Sequence, residues 1–277
     1  MESILDSTYV INMEFDQVRL EEFDSMMAAC NWNYFRYEAV NGKRLISSWA
    51  NITDTDEYET LRTQQFMKKR YVSETTWLSP SEIGCLLSHI TLWENLVNDP
   101  SKNRIAIFED DARTHVDGNT VRRLLSDFYT YLSSNDIPEP DMLYLGKALD
   151  DCMSYEKVWG NIYKSLHPVC LHAYIITKRG AQILLNMAPY NVPIDMVPIR
   201  AIENKRLNVM VFHPSIFFQD VFNIPSNLRQ LNGAINHTTE CLVSMQHVTS
   251  QTWKYTFVIV IALIAASILF IAHMLFQ

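Results

Sequence analysis

One stretch near the middle of the chain, RIAIFEDDARTH at 104–115, constrains the fold more than any other. Residues 105–108 form a short apolar run, which is typical of a buried strand in the centre of an α/β sheet. Three carboxylates follow it directly, at Glu109, Asp110 and Asp111. Open α/β sheets bind their ligands at the carboxyl ends of their strands. The stretch therefore predicts a ligand site at the end of a central strand.

The three acids also suggest what the site could hold. Adjacent carboxylates repel one another, so a fold that keeps them together usually supplies a cation. A ligand set made only of oxygens suits a hard ion such as Mg²⁺ or Mn²⁺. A solvated acidic turn after the strand would explain the same three residues without a metal. The stretch taken alone leaves both interpretations open.

Strands and helices alternate along the first two hundred residues, which predicts an α/β fold. Apolar runs predict strands at 8–12, 34–40, 105–108, 142–146, 171–176 and 207–212, and helical periodicity predicts helices at 14–30, 79–98, 121–132 and 177–187. The first strand, helix and strand are in the order of a right-handed parallel unit. Residues 47–70 and 150–164 show no clear period and are interpreted as irregular.

The helix predicted at 79–98 has the clearest signals. Ser79 is a candidate N-cap, proline follows it, and a glutamate three residues on completes a capping box. Apolar residues occupy most of its faces, and Gly84 and Ser88 leave room for another backbone or a ligand to approach. His89 borders an apolar stripe, so it is either a hydrogen-bonded core residue or a ligand contact.

Composition bounds the class of partner. The chain has 277 residues, 48% of them apolar, which is enough for a sizeable core. Its net charge of −8 argues against nucleic-acid binding, which requires a basic surface. Five cysteines without CxxC spacing predict free thiols in a reducing compartment.

The C-terminal segment predicts a membrane anchor. Residues 255–276 contain no Asp, Glu, Lys or Arg, and about 20 such residues span a bilayer. We therefore predict a globular domain at 1–232, a polar tether at 233–253 and a transmembrane helix at 254–276. Because the first residues do not form a signal peptide, we expect a single-pass, C-terminally anchored protein whose domain stays in the cytosol.

Several stretches, in chain order, resemble glycosyltransferase family 25, which includes bacterial lipooligosaccharide galactosyltransferases and procollagen galactosyltransferase domains. They are TYVINMEFDQVRLEEF at 8–23, EAVNGK at 38–43, LSPSEIGCLLSHITLWENL at 78–96, IAIFEDDA at 105–112, LYLG at 143–146, AYIITKRGAQILL at 173–185 and VPID at 192–195. The resemblance covers about residues 8–228, and EIGCLLSH followed by IAIFEDDA is its most specific part.

The resemblance implies a GT-A-like nucleotide-sugar binding fold with a mostly parallel central sheet. It also implies a divalent metal, Mn²⁺ or Mg²⁺, and an activated sugar donor, often UDP-galactose, transferred with inversion. Asp111 is then the first candidate for a direct metal ligand. Glu109 is a further metal candidate, and Glu109 or Asp110 would contact the ribose or a metal-bound water.

Six further residues are placed around the donor by the same resemblance. They are Asn12 and Arg19 after the first strand, Asn41 and Gly42 after the second, and Ser88 and His89 on the buried helix. The acceptor is an unidentified glycan, lipid or protein.

An inverting transfer needs a base that takes the proton of the acceptor hydroxyl. The acids at 109–111 are assigned to the metal, so we predict that the base is Asp195, held in a proline-rich stretch at 189–198. Asp195 as the N-cap of a helix beginning near residue 196 is an equally weighted interpretation. Asp220 and Glu203 are weaker candidates for the base.

Two other functions fit parts of the sequence. A phosphohydrolase could use the same acids to hold two metals, with His115 and His213 as further ligands. A degenerate transferase domain could serve as a membrane-tethered binding module. Intact acids and an intact 79–98 helix favour an active transferase over this module.

Overall fold

Ten strands and seven helices form the part of the chain that the computed structural model describes, which is residues 4–47, 52, 54–220 and 240–241. All of these residues fall within one unit, Met1–Cys241. The strands are Ser7–Asn12 (β1), Phe35–Glu38 (β2), Arg104–Glu109 (β3), Ala112–Arg113 (β4), Met142–Ala148 (β5), Glu156–Trp159 (β6), Ile162–Lys164 (β7), Val169–Thr177 (β8), Val209–Phe212 (β9) and Phe218–Gln219 (β10). The helices are Gln17–Ala29 (α1), Gly42–Ile46 (α2), Thr55–Tyr71 (α3), Pro80–Asn98 (α4), Gly118–Ser134 (α5), Lys178–Leu185 (α6) and Met196–Glu203 (α7).

Eight of the strands form one sheet, in the order β2-β1-β3-β8-β5-β9-β7-β6. β1 runs parallel to both β2 and β3, and β5 runs parallel to β9. β8 is antiparallel to both of its neighbours, and β7 is antiparallel to β9 and β6. The α/β class is confirmed, but the prediction of a mostly parallel sheet is wrong, because β8 enters the centre of the sheet in the opposite direction.

The sheet is buried on both faces, which explains the unbroken apolar run in β3. Ile105 and Ile107 pack into a core on one face with residues of α4 and α6. Ala106 and Phe108 pack into a second core on the other face with residues of α1 and α5. A strand covered on both sides does not show the apolar and polar alternation of a half-exposed strand.

Helix α4 begins as its sequence predicts. The Ser79 hydroxyl accepts a hydrogen bond from the Glu82 amide, and the Glu82 carboxylate accepts one from the Ser79 amide, which completes the capping box. A methyl group on Gly84 would lie 2.4 Å from the carbonyl oxygen of Val40. Glycine at this position therefore lets the loop after β2 approach the helix backbone closely, as the sequence predicts.

Two segments interpreted as irregular are ordered instead. Most of 47–70 lies in α3, whose N-cap Asp54 accepts a hydrogen bond from the Glu57 amide. The helix buries only three side chains, so its apolar periodicity is weak in the sequence. Segment 150–164 contains the hairpin of β6 and β7, which extends the edge of the sheet.

The prediction of a C-terminal membrane anchor is corrected by the structure. Within the described residues, no helix is both long enough and apolar enough to cross a bilayer. The predicted helix at 254–276 lies outside the described residues, as does the predicted tether at 233–253 apart from residues 240–241. The predicted single-pass anchor and the cytosolic orientation deduced from it therefore have no support in the described part of the structure.

The prediction that all cysteines are free thiols is wrong. Cys152 and Cys241 form a disulfide that joins positions 89 residues apart. Cys30, Cys85 and Cys170 are not part of this disulfide. Disulfides of this kind are typical of proteins that fold in an oxidising environment, which argues against the expected reducing compartment.

Candidate active site

A cavity of about 460 Å³ opens at the carboxyl ends of β1, β2 and β3. These ends coincide because the three strands are parallel, with Ile11 opposite Glu109 and Asn12 opposite Glu38. The cavity is lined by the ends of these strands and the segments after them, by one face of α4, and by Gln219. The lining includes eight predicted site residues: Arg19, Asn41, Gly42, Ser88, His89, Glu109, Asp110 and Asp111.

Asp110 is held by partners on both of its oxygens. Its Oδ2 accepts a hydrogen bond of 2.7 Å from Asn12 Nδ2, and its Oδ1 lies 2.5 Å from Arg19 Nη2. Asn12 in turn accepts a hydrogen bond from Arg36 Nε at 2.9 Å. Burial raises the pKa of Asp110 to about 6, although the Arg19 charge opposes this shift. Asp110 therefore ties the end of β3 to the end of β1.

Asp111 differs from Asp110 because one of its oxygens has no hydrogen-bond partner among the residues that the structure describes. Its Oδ2 accepts a hydrogen bond from Gln219 Nε2 at 3.0 Å and lies 3.0 Å from Arg19 Nη2. Its Oδ1 is buried and makes no hydrogen bond within the described part of the protein. Burial and the charge of Glu109 raise the pKa of Asp111 to about 7. A divalent cation would satisfy this oxygen and offset both effects, so the residues fit a hard metal ion.

Glu109 ends a chain of hydrogen bonds that starts in the core. Trp93 Nε1 donates to the Tyr174 hydroxyl oxygen at 2.9 Å, and that hydroxyl lies 2.8 Å from His89 Nδ1. His89 Nε2 lies 3.2 Å from Glu109 Oε1. An indole group only donates, so the Tyr174 hydrogen is left to bond His89 Nδ1, and the hydrogen of a neutral His89 then sits on Nε2. His89 in this tautomer donates to Glu109.

The protonation of Glu109 reflects this arrangement. Burial acts to raise the pKa of Glu109, but its hydrogen bond with His89 and the electrostatic effects of the neighbouring His89, His172 and Arg19 side chains together lower it below its usual value. Glu109 is thus held as a carboxylate on the cavity wall. His89 is both a buried core residue and a cavity residue, so the two interpretations left open by the sequence describe the same side chain.

Ser88, Asn41 and Gly42 shape the cavity wall through the backbone. The Ser88 hydroxyl donates to the Gly84 carbonyl oxygen and accepts from the Val40 amide, both at 2.8 Å. Asn41 caps α2, because its Oδ1 accepts a hydrogen bond of 3.0 Å from the Arg44 amide. These three residues fix the loop after β2 against α4.

Asp195 is not among the residues that line the cavity. It occupies the N-cap position of α7 but makes no side-chain capping hydrogen bond. Burial first, and then the charge of Glu109, raise the pKa of Asp195, against hydrogen bonds from backbone amides including that of Cys170. Asp195 is therefore near enough to Glu109 to feel its charge. This environment differs from that of an ordinary solvated cap.

The other candidates lie in different surroundings. Asp220 donates its backbone amide to the Asp111 carbonyl oxygen at 2.9 Å. Glu203 is at the end of α7 and is 3.9 Å from His167. His115 packs against Phe218, and neither it nor His213 lines the cavity.

Sequence reasoning missed several residues of the site. Gln219 contacts Asp111 because β10 pairs with β4, which places Gln219 opposite Ala112. No local sequence pattern predicts that the two-residue strands β4 and β10, about a hundred residues apart in the chain, pair with each other. Tyr174 was assigned to a buried strand, and only the fold shows that its hydroxyl meets His89.

The region that forms this site matches a known protein family. The model of glycosyltransferase family 25, described as an LPS biosynthesis protein family, matches residues 5–198. The chain belongs to glycosyltransferase family 25. The resemblance found in the sequence is thereby confirmed, and the cavity, α4 and the three acids all lie within the matched region apart from Gln219.

Individual relatives agree at the level of the family. Procollagen galactosyltransferase 1-A of Xenopus laevis is 28% identical over 197 residues, which cover 70% of this chain and 30% of that protein. A Rattus norvegicus relative, named "Probable inactive glycosyltransferase 25 family member 3", is 30% identical over 124 residues, which cover 43% of this chain and 20% of that protein. The chain thus spans less than a third of the length of either relative.

Similarity to solved structures is weaker. A UDP-glucose pyrophosphorylase in complex with UDP-glucose is 10% identical to this chain, with a TM-score of 0.38. The match covers 77% of this chain and 91% of the pyrophosphorylase. Similarity at this level carries no argument about function, which rests on the family and on the site.

Proposed function

We propose that this family 25 domain is a metal-dependent glycosyltransferase that moves galactose from UDP-galactose to an acceptor hydroxyl with inversion. The observation that carries the proposal is the buried Oδ1 of Asp111, which makes no hydrogen bond in the described part of the chain, on the wall of a cavity of about 460 Å³. A cavity of this volume is in the range of small-molecule sites. The donor sugar follows the name of the Xenopus relative, so it is the part that rests most on similarity.

Asp111 and Glu109 would hold the metal, which we propose to be Mn²⁺ or Mg²⁺. Both offer carboxylate oxygens, the ligands that these hard ions prefer. When bound, the ion would supply positive charge that stabilises the diphosphate leaving group. Asp110 has both oxygens engaged by Asn12 and Arg19, so its role is to position β1 and Arg19.

Other cavity residues would bind and orient the donor. Residues 39–44, which are the end of the loop after β2 and the start of α2, line the cavity and include the cationic residues Lys43 and Arg44, although the Arg44 guanidinium is paired with Glu57. Arg19 lies at the same wall between the two aspartates. This combination of cations and backbone amides suits a diphosphate. His89 keeps Glu109 ionised and in place by donating a hydrogen bond to it.

Asp195 remains our proposed base. Its raised pKa makes it a better proton acceptor than an ordinary carboxylate, because a base works best when its pKa lies nearer the operating pH. Asp195 lies outside the cavity lining but close enough to Glu109 for that charge to raise its pKa. It would take the proton of the acceptor hydroxyl while the donor occupies the cavity.

One alternative has an observation in its favour. Arg19 already pairs with both aspartates, so the acids are partly neutralised without a metal, and the name of the Rattus norvegicus relative begins "Probable inactive". A binding module that no longer transfers sugar would keep this arrangement. The phosphohydrolase has no such support, because His115 and His213 do not join the acids.

A panel of nucleotide sugars separates these functions. The chain is stripped with chelator, resupplied with Mn²⁺ or left without metal, and incubated with each donor. We expect metal-dependent release of UDP from UDP-galactose above all other donors. Because no acceptor is added, water takes the galactose, and NMR recorded before mutarotation should show the anomer of inverted configuration. Phosphate-ester cleavage without sugar preference would indicate the phosphohydrolase, and donor binding without turnover would indicate the binding module.

A further inference from the structure

Beside the acids, the same cavity holds a second set of metal-binding atoms with softer chemistry. Cys85, His89 and Glu109 each offer one ligand atom, and these three atoms lie within 4.8 Å of one another. We propose that these side chains form a thiophilic metal site that takes Zn²⁺ and, through Glu109, weakens binding of the hard ion at the acids. Binding of Zn²⁺ stands without the proposed function, whereas its competition with Mn²⁺ rests on it.

The distances already approach those of a zinc site. Zinc bonds sulfur at about 2.3 Å and nitrogen or oxygen at about 2.0–2.2 Å, so ligand atoms around one ion stand roughly 3–4 Å apart. Cys85 Sγ is 3.9 Å from Glu109 Oε1, and His89 Nε2 is 3.2 Å from the same oxygen. Small side-chain rotations would bring all three atoms to one ion.

The secondary structure fixes this geometry. Cys85 and His89 are four residues apart on α4, so their side chains lie on one face of the helix. Glu109 is the last residue of β3, against which that face packs. All three line the cavity, which gives an ion a route to the site and leaves a fourth position for water.

The surroundings of His89 suit a ligand. Metal-binding histidines donate their other ring N–H to a fixed acceptor. When Zn²⁺ binds Nε2, the imidazole hydrogen moves to Nδ1, where the Tyr174 oxygen lies 2.8 Å away. The thiol of Cys85 loses its proton to solvent and binds as a thiolate.

Ligand softness determines which ion goes where. Thiolate and imidazole select zinc, whereas carboxylate oxygens suit Mg²⁺ and Mn²⁺. Glu109 belongs to both sets, and two dications that share one carboxylate in this small space repel one another. Zinc at Cys85 and His89 therefore weakens Mn²⁺ binding at Asp111. The other cluster of this kind in the described residues, Cys152, His213 and Cys241, has both of its sulfurs in the disulfide.

Direct metal binding tests the site without any turnover assay. Zn²⁺ is titrated against a chromophoric chelator with the wild-type chain, Cys85→Ser and Cys170→Ser, the last as a control that removes another partly exposed thiol outside the disulfide. We expect Cys85→Ser to weaken zinc binding by roughly tenfold or more and Cys170→Ser to leave it unchanged. Circular dichroism checks that each variant is folded.

Co²⁺ provides a second readout, because a cobalt–thiolate bond absorbs in the near ultraviolet. The wild type and Cys170→Ser should show this band, and Cys85→Ser should lack it. Equal zinc affinity in all three proteins, or a band that survives Cys85→Ser, would overturn the site. If zinc binds as expected but leaves the Mn²⁺ affinity unchanged, the competition through Glu109 is wrong and the zinc site stands.

Discussion

Tyr144 and Tyr174 are paired across β5 and β8, but their hydroxyl groups have different surroundings. The Tyr174 hydroxyl joins Trp93 to His89, whereas the Tyr144 hydroxyl is buried without a hydrogen-bond partner among the described residues. Both side chains are fully buried. The two tyrosines therefore form a matched pair for measuring what the Tyr174 hydroxyl contributes.

We predict that Tyr174→Phe lowers the free energy of unfolding by about 1–3 kcal/mol, because Trp93 and His89 each lose a buried hydrogen-bond partner. Tyr144→Phe should be close to neutral. Tyr174→Phe should also raise the KM for the donor, since the tautomer of His89 is no longer fixed toward Glu109. Urea unfolding and donor kinetics measure the two effects, and equal behaviour of the two variants would contradict the hydrogen-bond chain.

Asp195 and Asp220 are the two carboxylates whose roles transfer kinetics can separate. As the base, Asp195→Asn should lower sugar transfer by roughly a hundredfold or more while UDP-galactose binding persists. Asp220→Asn serves as the matched control and should retain transfer. Near-normal transfer by Asp195→Asn would assign the proton acceptor elsewhere, and a loss confined to Asp220→Asn would identify that residue.

At the scale of elements, local chemistry predicted β3 and α4 well. Strand β3 is marked by an unbroken apolar run and helix α4 by a capping box, and both signals lie within the element itself. The direction of β8 could not be predicted in the same way, because an apolar strand of given composition fits a sheet in either direction. Helix α3 was missed because its stability comes from capping and a few buried side chains instead of a wide apolar face.

Gly84 tests how α4 packs against the loop after β2. We predict that Gly84→Ala lowers the free energy of unfolding by about 1–3 kcal/mol, because the new methyl group would lie 2.4 Å from the Val40 carbonyl oxygen. Ser25→Ala, on the exposed face of α1, should change it by less than about 0.5 kcal/mol. Chemical denaturation compares the two, and a neutral or stabilising Gly84→Ala would show that the loop can move away.

The whole molecule determines the parts of the site that no local pattern could supply. The sequence identified the three acids. It could not show that both oxygens of Asp110 have partners, whereas Asp111 Oδ1 has no hydrogen-bond partner among the described residues. That difference comes from Asn12, Arg19 and Gln219, which reach the acids from distant parts of the chain. Long-range contacts of this kind depend on the finished fold.

The disulfide is also a property of the whole domain. It closes a loop between positions 89 residues apart. Glu240, next to Cys241, places its Oε2 3.2 Å from Nζ of the buried Lys147. We predict that Cys152→Ser together with Cys241→Ser lowers the free energy of unfolding by about 2–4 kcal/mol. Reduction of the wild type should lower its Tm to that of the variant and leave the variant unchanged. A wild type whose Tm is insensitive to reductant would contradict this.

We propose that Asp111 Oδ1, which makes no hydrogen bond among the described residues, holds the divalent ion that binds the donor. A Mn²⁺ titration followed by electron paramagnetic resonance tests this proposal. Free Mn²⁺ is measured in the presence of UDP for the wild type and for Asp111→Asn, whose amide keeps the shape but not the charge. We expect one bound ion for the wild type and a loss of affinity of roughly tenfold or more in the variant. Equal Mn²⁺ affinity in the two proteins would contradict it.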